Sequence, residues 1–160
     1  MNKEAVLSHT SSDFSPKDVE QFVFLYQFVN FDAQTMGVWS EKAKKDELRE
    51  FAQKQLKISS SQKALLESVA SENDIKLPAA LSQAYEREIY KYSTSGGEDY
   101  DKVFMNNYLE MCKIFRDSLN QIIEMSDVNP EVKHLSKNSY NTMKSRIIQV
   151  DKLRKETWSN

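Results

Sequence analysis

The sequence predicts an all-α protein, a four-helix bundle with one long crossover, and three observations carry that prediction. The 160 residues include only 3 Gly and 3 Pro, far below the average usage of about 12%. Sheet-based folds need many tight turns, and turns draw on these residues. Apolar side chains recur at spacings of three and four along four long stretches, the mark of helices with one buried face. Two of the links between these stretches are a few residues long and the third has about 24, which leaves one crossover and two hairpins.

The elements follow in order. Ser15-Pro16 opens the first helix, Ser as cap and Pro in the first turn. Its stripe runs Val19, Phe22, Leu25/Tyr26, Val29, Ala33, Met36, Trp39 and Ala43, so it should end near residue 43. Asp46 is the expected cap of the second helix, with Glu47 complementing the helix dipole. Leu48, Phe51/Ala52, Gln55/Leu56, Ser59, Gln62, Leu66 and Val69 form its stripe to about Asn73. Leu77-Pro78 favours extended backbone, and a short helix after Pro78 would align Leu81, Tyr85 and Ile89. The run from Ser93 to Gly97 closes this connector. The third long helix carries Tyr100, Phe104, Tyr108, Met111/Cys112, Phe115, Leu119 and Ile122. After a turn at Asp127–Pro130, the fourth carries Val132, Leu135, Ser139, Met143, Ile147, Val150 and Leu153. Residues 16–157 thus form one bundle domain behind a polar arm, 1–15. A connector of that length can run back along a bundle roughly 40 Å long. The second and third long helices would then be parallel, the ferritin-like arrangement.

Composition excludes several functions. With 22 basic and 24 acidic residues the formal charge is −2, so no basic field for nucleic acid is expected. The most apolar stretch, Phe22 to Phe31, has 8 apolar residues in 10, too short for a membrane span of ~18. The single cysteine, Cys112, excludes an internal disulfide and a thiolate metal cluster. No phosphate-binding glycine loop or nucleophile elbow is present. Neither His9 nor His134 stands beside Cys112 to activate it. Glu131-Val132-Lys133-His134 matches the Glu-x-x-His of di-iron bundles, yet it lies at a helix start, roughly 18 Å from the level of Arg146. Glu86 and Glu88 read as solvated helix acids. No cofactor is expected.

The residues Ala43, Glu47-Leu48, Phe51-Ala52, Leu77-Pro78, Tyr100-Asp101, Phe104-Met105 and Asn129-Pro130-Glu131-Val132-Lys133 resemble a ferritin-like bacterial family of unknown function. Its members are described as outer membrane proteins and most are exported. The resemblance spans residues 18–155. It implies an envelope location if a leader preceded this chain, with Met1–Asp13 as a tether, and a cytoplasmic one otherwise. Family members carry an acid in the first helix, Asp-His in the second, His in the third and His after Leu-Pro in the fourth. Those positions here are Asp32, Ile58-Ser59, Cys112 and Arg146, the last after Tyr140-Asn141, so only the acid is kept.

Helix register puts Asp32, Ser59, Cys112 and Arg146 at one level and on the apolar stripes, so one internal polar layer is expected, with Arg146 as the cation facing Asp32. The expected role is that of a non-enzymatic binding or structural protein. A ferritin-type metal store or metal-dependent oxidoreductase is the alternative. Phe24, Phe28 and Phe31 form a second apolar face on the first helix. Either the connector covers that face, the favoured reading, or it meets a protein partner or a second copy in a homodimer.

Overall fold

The computed structural model describes residues 13–158, and within them the fold is all-α, with five helices and no strand. Four are long: α1 (Pro16–Lys42), α2 (Asp46–Glu72), α4 (Tyr100–Glu124) and α5 (Pro130–Thr157). The fifth, α3 (Gln83–Thr94), lies in the connector. The long helices share one core in which Phe22, Leu25, Met36, Trp39, Leu48, Phe104, Met105, Leu119, Val132 and Val150 are almost fully buried. Among the described residues, no helix is long and apolar enough to cross a membrane.

Carboxylates pin both ends of the bundle. Asp18 completes a capping box with Ser15 at the start of α1. Its other oxygen accepts from the Asn129 backbone N–H at 2.9 Å, tying in the α4–α5 turn. Burial disfavours ionisation of Asp18, but the bonds from Asn129 and Ser15 outweigh it and hold the carboxyl below its usual range. At the other end Asp101, the second residue of α4, accepts from the backbone N–H groups of Lys44 (2.9 Å) and Lys45 (3.2 Å) in the α1–α2 turn.

Three boundaries differ from the sequence reading. Asp46 is the first residue of α2, and the cap position is Lys45, which makes no side-chain cap bond. The short helix after Pro78 starts only at Gln83, capped by the Ser82 hydroxyl, so Leu81 lies outside it, and it extends through Ser93 and Thr94. The polar arm ends sooner than residue 15, because Phe14 is buried and packs edge-on against Phe22 at 6.3 Å. The rest of that arm, including His9, lies outside the described residues.

The second apolar face of α1 is covered within the chain. Phe28 meets Phe115 of α4 at 4.0 Å, and Phe31 stacks on Tyr85 of α3 at 4.5 Å. Phe28 and Phe31 are 2% and 1% exposed, and Phe24 is half-buried against the same core.

Candidate functional site

The polar layer draws side chains from all four long helices, with Gln55 joining Ser59 from α2. Asp32 comes from α1, Ser59 from α2, Tyr108 from α4 and Arg146 from α5, all 3% exposed or less. Each sits on an otherwise apolar stripe, so the packing that forms the core also drives these groups together. Arg146 Nη1 donates to Asp32 Oδ2 and to the Tyr108 hydroxyl, the latter at 2.8 Å. Its Nη2 donates to Ser59 Oγ (2.8 Å) and to the Gln55 carbonyl (3.3 Å), and its Nε to Gln55 Oε1 (2.7 Å). All five guanidinium N–H groups therefore have an acceptor. Asp32 Oδ2 also accepts from Ser59 Oγ, and Oδ1 accepts from the Tyr108 hydroxyl at 2.8 Å.

The electrostatics follow from this geometry. Burial alone would lower the Arg146 pKa, but the adjoining Asp32 carboxylate more than offsets that and the pKa rises. The guanidinium stays charged. Tyr108 is raised well above an ordinary phenol, first by burial, with Asp32 adding and Arg146 opposing. Cys112 borders the network and is 1% exposed. Burial, then Asp32, push its thiol up to about 12, against opposing effects of Arg146 and Tyr108. A thiol so raised is a poor nucleophile at neutral pH.

Of the residues singled out from sequence, the structure brings Asp32, Ser59 and Arg146 into direct hydrogen bonding and sets Cys112 beside them. Two members were not singled out, Tyr108 and Gln55. Both occupy stripe positions of the core in the sequence pattern. Each lies one turn before a nominated residue, Tyr108 before Cys112 and Gln55 before Ser59. A glutamine within an apolar stripe was the available signal, since a buried amide needs a partner.

The donor set does not fit a metal ion. The place of a cation beside Asp32 is filled by a guanidinium, and its other neighbours are hydroxyls and an amide. Transition metals of this fold class want several carboxylates and imidazoles. Among the described residues no three His, Cys, Asp or Glu side chains converge to hold one. His134 is exposed near the start of α5.

No curated protein matches this chain. A crystal structure of a DUF305 fragment from Deinococcus radiodurans superposes with a TM-score of 0.72 over 89% of this chain and 98% of that one. At 16% identity the likeness shows a shared fold alone. Residues 7–153 match the family described as Domain of unknown function (DUF4142). With nearly the whole bundle inside that match, the chain belongs to the DUF4142 family.

Proposed function

We propose that this protein is a non-enzymatic helical bundle of ferritin-like connectivity, acting as a binding or structural component of the bacterial envelope, with Arg146 as the internal cation. The observation that carries the reading is the closure of the polar layer. Asp32 takes three donors on its two buried oxygens and Arg146 gives all five of its own, so the guanidinium has no donor left over and the carboxylate's cation partner is already supplied. The raised thiol of Cys112 adds no ready nucleophile.

Support for the connectivity comes from the pinned ends. Asp101 links the start of α4 to the start of α2, and Asp18 links the start of α1 to the start of α5. Those contacts suit α2 parallel to α4, with the connector travelling the length of the bundle. The envelope location rests on the resemblance to exported proteins and is tested by fractionating the source cells.

Elemental analysis tests the non-metal reading. Protein purified from metal-replete medium should hold well under ~0.2 equivalents of iron, manganese or zinc, as expected where no adequate ligand set exists. Stoichiometric metal lost on Asp32→Asn would instead establish the metal-store or oxidoreductase reading.

A further inference from the structure

We infer that α3 is a strap that undocks as a unit while the four long helices stay folded, and that its undocking uncovers Cys112. Of its twelve residues only Tyr92 is buried. A helix this short has little stability of its own and depends on its docking. That docking rests on a few side chains. Tyr85 stacks on Phe31 and meets Phe115 edge-on at 5.9 Å, and Tyr92 packs on Phe104 at 4.8 Å, with Ile89 between them.

The polar fastenings lie mostly at the surface. Gln27 Nε2 donates to the Ala80 carbonyl at 3.2 Å, and Lys42 Nζ donates to the carbonyls of Ser93 (2.9 Å) and Ser95. One buried bond adds to them, from the Tyr100 hydroxyl to the Tyr92 carbonyl at 3.0 Å. No α3 side chain enters the network around Asp32 and Arg146, so undocking leaves that network whole.

The strap packs along α1, and its rings reach α4 on either side of the stretch that contains Cys112. Its two aromatic contacts, Phe104 and Phe115, bracket the cysteine in sequence. With Tyr85 and Tyr92 withdrawn, solvent reaches the α1–α4 aromatic seam and the thiol beneath it. Segments with few buried contacts and exposed hydrogen bonds are those that open locally.

As the only cysteine in the chain, Cys112 reports the event. In native buffer the full chain is treated with an aromatic disulfide; the Cys112 thiolate attacks one sulfur, forming a mixed disulfide and releasing one aromatic thiolate. Labelling should be at least about 100-fold faster than the global unfolding equilibrium permits, the signature of sub-global opening. Lys42→Ala should accelerate it about tenfold, as expected for losing a charge-assisted bond, whereas Val132→Ala, which costs stability in the core at the start of α5, should leave the labelling rate unchanged. Amide exchange should show the α3 protons opening together at the same free energy. Labelling no faster than global unfolding, or an acceleration by Val132→Ala that follows its loss of global stability, would overturn the inference.

Discussion

The middle of the bundle and the seam under α3 are both buried, and they are held by opposite chemistry. At the midplane four helices meet through a charge pair with every guanidinium donor satisfied. Under α3 the contact is made by rings: Phe31 on Tyr85, Phe104 on Tyr92, Phe115 beside both Phe28 and Tyr85. A satisfied network in a low dielectric is intolerant of partial loss, because a missing partner strands a charge. Aromatic packing gives way by increments, roughly in proportion to area uncovered. The comparison teaches that the midplane specifies how the four long helices register, while the seam sets how easily the connector departs.

The sharpest way to break the first region is Arg146→Met. It leaves Asp32 buried without a counter-charge and should cost about 3–5 kcal/mol in chemical denaturation. In the second region Phe31→Ala removes a ring that is 1% exposed and should cost about 3 kcal/mol. If the two regions act as described, it should also speed Cys112 labelling far more than Arg146→Met of matched stability does.

Tyr108→Phe keeps the aromatic packing with Phe104 and removes one donor to Asp32. A loss of about 1–3 kcal/mol is expected, and no change would argue that Tyr108 is present for its ring alone. Smaller still is the effect at the end of the bundle. The folded-state pKa of Asp18 is depressed, so its stabilisation is complete above the unfolded value of about 3.9 and is lost as pH falls through the folded value. Asp18→Asn should therefore lower stability at neutral pH by about 1 kcal/mol and flatten the decline below pH 4 in acid titrations of the melting temperature.

Much of this architecture was legible in the sequence because stripes of apolar residues at helical spacing leave little choice of element. The level shared by Asp32, Ser59 and Arg146 could be found by counting residues from the turns, since rise per residue is fixed. What escaped was local. Lys45 rather than Asp46 holds the cap position of α2: Asp46 sits in the first turn and accepts from Arg49, while Asp101 fastens the turn that precedes the helix. The irregular stretch after Pro78 bends at Ala79 and Ala80 and lasts to Ser82, whose hydroxyl starts α3. Tyr108 and Gln55 looked like core because one side of each is core. Only the placement of an arginine at their level reveals what their polar atoms do.

The central claim is that Arg146 and Asp32 form one interdependent buried pair, and a thermodynamic cycle on Asp32→Asn, Arg146→Met and the double variant tests it most directly. The account predicts that the double variant recovers about 2 kcal/mol or more of the summed single losses, because neither side then holds an unpaired charge. Additivity of the two single losses to within about 0.5 kcal/mol would contradict it.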